Sequence, residues 1–182
     1  MFKLLIYFSL IFFPGNLSAS GSPEATFSNN FVILNQSRIY LESKYGESTE
    51  RSFTLVSQEL VSENNELERL LEVEELALTN KRKTLSRLDF QNLAQVFDIK
   101  VEEIRLRQKN KSDKLLAELE LSRATFYKLV SPLLKEFVTE NGVLGVFDSA
   151  LMIVGNNKFD ISDIMIDLID KNITDLPVFS LK

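Results

Sequence analysis

Two apolar-periodic, charge-rich stretches, roughly 47–80 and 87–140, are joined by a short basic break, and this pairing constrains the fold more than any other feature. In the first, Leu55, Val56, Leu60, Leu67, Leu70, Leu71, Ala77 and Leu78 recur at spacings of three, four and seven, with glutamates crowding the other faces. That is the pattern of an amphipathic helix with a coiled-coil-like seam, interrupted at Asn64 and Glu74. In the second, Leu88, Leu93, Val96, Phe97, Val101 and Ile104 form one run. After a polar interval from Arg105 to Lys114, Leu115, Leu119, Phe126, Leu129, Leu133 and Phe137 form another. Ser86 and Asp89 form a capping box between the stretches, Pro132 predicts a kink, and Asn141-Gly142 is a C-cap signal. Helices of about 35 and 50 residues follow, the longer about 75 Å at 1.5 Å per residue. A hairpin of that length projects from any body this chain can build, and suits holding or bridging better than enclosing a catalytic pocket.

The flanks read differently. Phe31-Val32-Ile33-Leu34 is an apolar run of strand length, and Ser37 is placed to cap a short helix that ends near Gly46. Residues 143–147 and 150–154 read as two further strands, and Ile161 to Ile169 as a last helix capped by Asp160 or Ser162. The expected fold class is α+β: a small β-body from 28–46 and 141–182, and a helical hairpin over 47–140 with its tip near 79–87. About three strands and one short helix make a small core, which association with other copies would stabilise.

At the N-terminus, Lys3 precedes the ten-residue apolar run Leu4–Phe13, then Pro14-Gly15 and small residues near Ala19. That is the layout of a secretory signal peptide, here assigned to 1–20, and the run is too short for a transmembrane helix. Secretion is the expectation, with 21–182 as one mature domain.

The chain has no histidine and no cysteine, which removes imidazole bases, thiol nucleophiles, disulfides and the commonest zinc ligands. Asp148, Asp160, Asp163, Asp167 and Asp170 remain for acid–base work or a hard cation, but their positions fit helix capping and a wet helix face better. No phosphate loop or nucleophile elbow is present, so no enzyme activity, catalytic residue, cofactor or metal is expected. Formal charge is −5 with bases and acids intermixed, which argues against a nucleic-acid partner. The exception is Lys81, Arg82, Lys83 and Arg87 at the tip, after a first arm with two arginines against nine glutamates. This knot either offsets a helix C-terminal dipole or touches anionic lipid headgroups or acidic clients.

The order of these features resembles the OmpH-like (Skp) family of periplasmic chaperones over nearly the whole mature chain. The carriers are the early segment Phe31 to Tyr40, the long charged hairpin, and the ending Gly142…Val146-Phe147-Asp148…Leu151…Asp160-Ile161-Ser162. Ser162 stands where the family has threonine, and Thr84-Leu85-Ser86 looks like an alphaproteobacterial-type member. The resemblance implies a jellyfish-like homotrimer whose helical tentacles enclose unfolded outer-membrane proteins without ATP. Phe31, Ile33, Leu34, Val143, Val146, Leu151 and Ile153 would form the trimer body, and the basic tip would meet an anionic membrane surface. Enteric members are strongly basic, whereas this chain is acidic, which separates it from them in any affinity for lipopolysaccharide. The alternative from another class is a structural coiled-coil adaptor or spacer of the cell envelope.

Overall fold

The computed structural model describes Phe27 and residues 30–180. The expected signal peptide lies outside the described residues. The elements run β1 (Phe31–Leu34), α1 (Gln36–Leu41), α2 (Lys44–Lys81), α3 (Arg87–Glu140), β2 (Gly145–Asp148), two short 3-10 turns (Ser149–Leu151 and Asn157–Phe159) and α4 (Ser162–Asn172).

The two charged stretches are α2 and α3, and the seam between them holds the hairpin together. Ser43 starts α2 three residues before the expected position. Its hydroxyl accepts from the Gly46 amide and donates to the Tyr40 carbonyl, so one side chain closes α1 and opens α2. The next residue in that turn tolerates no side chain: a Cβ on Gly46 would lie 1.7 Å from the Tyr40 carbonyl oxygen. Gly46 is therefore inside a helix, and α1 ends earlier, at Leu41. Asn35, not Ser37, caps α1, accepting from the Arg38 amide.

At the tip Ser86 accepts from the Asp89 amide at 3.2 Å, as the capping box requires. The Asp89 carboxylate accepts from the Ser86 hydroxyl at 2.7 Å instead of reaching its backbone. At the far end Gly142 takes φ 61°, with Val143 donating to Val138 and Gly142 to Thr139. This is a Schellman stop. Pro132 does not break α3, because Val130, Leu133 and Leu134 around it are held in the core.

Among the described residues the sheet has two strands, not three. β1 and β2 pair in parallel, Phe31 opposite Gly145 and Leu34 opposite Asp148. A parallel pair needs a long crossover, and here the entire hairpin supplies it. The other edge of β1 is closed by the start of α4: Ile161 donates to the Ile33 carbonyl at 2.9 Å, and the Asn35 amide donates to buried Ser162. The expected strand at 150–154 is absent. Asp148 caps a 3-10 turn through the Ala150 amide and turns the chain away from β1, leaving Leu151, Ile153 and Val154 without backbone partners in a sheet.

The core packs β1, α1 and α4 against the root of α3. Phe126 is fully buried at its centre, with the rings of Tyr40, Tyr45 and Tyr127 at 5.2, 5.5 and 5.2 Å. Met165 and Ile169 are the buried face of α4, whereas Ile164, expected there, is 36% exposed.

Candidate functional surfaces

Three surfaces are candidates: the apolar flank of the body, the walls of the hairpin, and its tip. On the body, the seven residues expected to join copies separate by burial. Leu34 and Val143 lie inside the protomer core, and Ile33 and Val146 are half-buried. Phe31, Leu151 and Ile153 are exposed, the last two at 84% and 100%. Phe147 and Leu144 are exposed beside them, and Phe147 stacks on Phe31 at 5.2 Å. Exposed large apolar side chains on adjoining segments mark a candidate contact surface.

The hairpin is divided at Leu60 and Leu115. Toward the body, Val56, Leu60, Leu115, Leu119, Phe126, Val130 and Phe137 are buried. No described residue from 61 to 114 is. Two polar layers punctuate the seam. The inner one is wholly buried. Thr49 donates to the Tyr45 carbonyl, Tyr45 to the Ser122 carbonyl, and the Thr49 and Ser122 hydroxyls are 3.2 Å apart. The sequence signal was there, because Thr49 and Ser122 occupy seam phases with Val56, Leu60, Leu115 and Leu119, but a pattern search for apolar residues passes over them. Beside this layer Arg123 binds Glu50 at 3.1 Å and lies over the Tyr40 ring at 5.7 Å. Contacts with Tyr40 and Glu50 hold the Arg123 guanidinium still more firmly protonated, and burial raises the Tyr40 phenol above its ordinary range.

The outer layer is wetter. Lys111 and Gln108 both donate to Glu63, and these hydrogen bonds, Lys111 first, hold its carboxyl below the usual glutamate range. Asn64 and Gln108 each leave a side-chain oxygen buried without a partner. Above this layer the arms part around a groove of about 670 Å³, with Leu67, Leu71, Phe97, Val101 and Ile104 among its walls. Glu74, expected to interrupt the seam, instead faces solvent and pairs with Lys100.

Exposed apolar residues continue along the hairpin, but they are not the phenylalanines expected. Phe126 and Phe137 are buried, and Phe90 and Phe97 are half-buried. The exposed residues are smaller and lie off the seam. At 100° per residue, Leu88, Val96, Ile99, Leu106 and Leu121 fall on the side of α3 opposite Phe97, Val101 and Leu119. Leu88 and Val96 therefore leave the face assigned to them from spacing, as do Leu55 and Leu70 on α2.

At the tip Lys81, Arg82, Lys83 and Arg87 are all exposed, and Arg82 lies over the Phe90 ring at 5.7 Å. The C-terminal acids work locally. Asp148 caps a turn, Asp160 accepts from the Ser162 amide, Asp163 pairs with Arg38, and Asp170 accepts from the Lys44 amide. Among the described residues no three acidic side chains converge as a metal-binding group, and no helix is long and apolar enough to cross a membrane.

No family model matches the chain, and no curated protein matches it in sequence. The fold has a solved counterpart. It is similar to a crystal structure from Caulobacter crescentus CB15, described as a candidate outer membrane chaperone, OmpH-like. The TM-score is 0.76 at 16% identity, over 81% of this chain and 88% of that one. The small body with its projecting hairpin is thus an OmpH-like fold, reached by a very different sequence.

Proposed function

We propose that this chain is an OmpH-like periplasmic chaperone that holds unfolded outer-membrane proteins without nucleotide. The observation that carries the reading is the distal hairpin. Its 54 residues from 61 to 114 bury none of their side chains fully, yet expose large apolar residues along its length. A segment of this kind contributes little to its own fold and offers many weak apolar contacts, at about 25 cal/mol per Å² removed from water. Such contacts are individually weak enough to be released to a better destination without chemical energy.

Three copies joined through the exposed flank of the body would turn separate hairpins into the walls of a cavity. Phe31, Phe147, Leu151 and Ile153 supply the contact, with Leu34 and Val143 bracing it from within. Ions are secondary in this reading: several distal acids and bases pair with one another, as in Lys100–Glu74 and Lys111–Glu63, and the positive charge is concentrated at the tip. The tip orients the cage toward an anionic membrane surface or an acidic client.

The test is aggregation suppression of a denatured β-barrel protein, without ATP, by the mature chain. Suppression near one trimer per client is expected, and it persists when salt rises from about 0.05 to 0.5 M, where the Debye length shrinks to a few Å. A chain that leaves aggregation unchanged is an adaptor or spacer instead. A steep loss in salt would assign the holding to charge.

A further inference from the structure

After α4 the chain turns at Ile173 into an extended conformation and runs without helix or strand to Ser180, back along the root of the hairpin. It is fixed there by its backbone. The Ser48 hydroxyl donates to the Pro177 carbonyl at 3.3 Å, and the Phe179 amide donates to the Ser52 hydroxyl at 2.7 Å. Ser48 and Ser52 are one helical turn apart, a rise of about 6 Å. Two residues of extended chain rise about 6.6 Å. The two serines therefore meet alternate residues of an extended segment in register. The side chains alternate as well: Pro177 and Phe179 are half-buried against the hairpin, and Leu176 and Val178 are exposed, Val178 at 84%.

Open depressions of about 400 and 420 Å³ flank the segment along α3, one bounded by Thr125 and Leu129, the other by Leu121 and Ser122. A surface that reads backbone groups through two hydroxyls, meets side chains at alternate positions and continues into open depressions beside them suits an extended apolar peptide.

We propose that residues 173–180 are a strap seated in a peptide-binding groove at the hairpin root, and that an extended apolar segment of an unfolded protein takes its place. This deepens the chaperone reading and rests on it only for the identity of the displacing chain. The tethered strap competes at an effective concentration in the mM range, which keeps the groove closed to weak peptides and opens it to long chains that bind the walls at the same time. Opening frees a site next to the Tyr45–Thr49–Ser122 layer, at the point where the hairpin joins the body.

The test uses a fluorescein-labelled peptide of sequence Thr174–Ser180, its anisotropy read against the full mature chain and two strap variants, Phe179→Asp and Pro177→Asp. A strap closed about nine-tenths of the time lowers apparent affinity about tenfold, so each variant should bind the peptide about tenfold more tightly than the unaltered chain. Adding Leu121→Asp, an exposed groove residue, to either variant should abolish the gain. Circular dichroism verifies that every variant keeps its helices. Equal affinity of the unaltered chain and both folded strap variants overturns the proposal, as does a gain that survives Leu121→Asp. No client is present in this assay, so a chain that fails to hold unfolded β-barrel protein still passes or fails here on its own.

Discussion

The two halves of the hairpin are built from the same kinds of residue and do opposite things. The inner half, up to Leu60 and Leu115, sets Phe126, Val130 and Phe137 against the body and seals a layer of hydroxyls with no access to water. The outer half has as many leucines and valines, yet buries none of them fully. Two helices alone present only a narrow seam to each other. A third layer is needed to bury a side chain on more than one flank, and α1, α4, the sheet and the segment 173–180 provide it at the root. The difference teaches that core formation and exposed apolar surface are separated along one helix pair: apolar residues are structural where a third layer covers them and available where none does.

The sharpest way to break this contrast is to remove one aromatic from each half. Phe126→Ala should cost about 3–5 kcal/mol, the usual loss for a buried aromatic. Phe97→Ala, half-buried above the division, should cost well under half as much. Urea unfolding of the two variants measures both, and equal losses would erase the distinction. Next in size, Phe147→Asp should dissociate the proposed trimer, because an unpaired charge in the apolar contact proposed there would cost several kcal/mol. Light scattering should read about three protomers before the substitution and fewer after it, at micromolar concentration.

A smaller effect is expected at the inner polar layer. Thr49→Val keeps the shape and removes one of two partners of the Ser122 hydroxyl, which still reaches the Tyr45 hydroxyl at 3.3 Å, so it should cost about 0.5–1.5 kcal/mol in the same urea experiment. Hydrogen exchange sharpens the contrast residue by residue: amides of 61–110 should exchange faster than those of 119–137. Uniform protection along both arms would mean that the outer half is held by something other than its own seam.

The smallest effect concerns pH. Glu63 has its carboxyl lowered in the folded chain by Lys111 and Gln108, so the folded state binds that proton less readily than the unfolded one. Its contribution is complete above the ordinary glutamate pKa, about 4.3, and is lost as pH falls through the lower folded value. Exchange in the outer half should therefore quicken in acid before the root does, and Glu63→Gln should remove that part of the pH dependence. The pair is partly exposed, so the change should be slight.

The two long helices were legible to within about three residues because their signals are local. Ser86, Gly142 and the spacing of Leu60, Leu67 and Leu71 act within one or two turns, and the observed α3 spans the expected stretch. The body was harder. The apolar run 150–154 has every compositional mark of a strand, but a strand is made by its neighbour, and Asp148 turns the chain away before any partner is met. The same holds for Leu88 and Val96: spacing says that they share a helix, not which side meets α2.

Composition and periodicity by themselves determined a long charged hairpin on a small α+β body, with neither histidine nor cysteine for its chemistry. Tertiary structure alone decided that the sheet has two parallel strands, that Thr49 and Ser122 meet in the core, and that residues 173–180 lie against Ser48 and Ser52. The physical reason is range. Helix periodicity and caps are settled by residues three to five apart, whereas Thr49 and Ser122 are 73 apart and Ser52 and Phe179 are 127 apart, and no local pattern records which distant surfaces will close on each other.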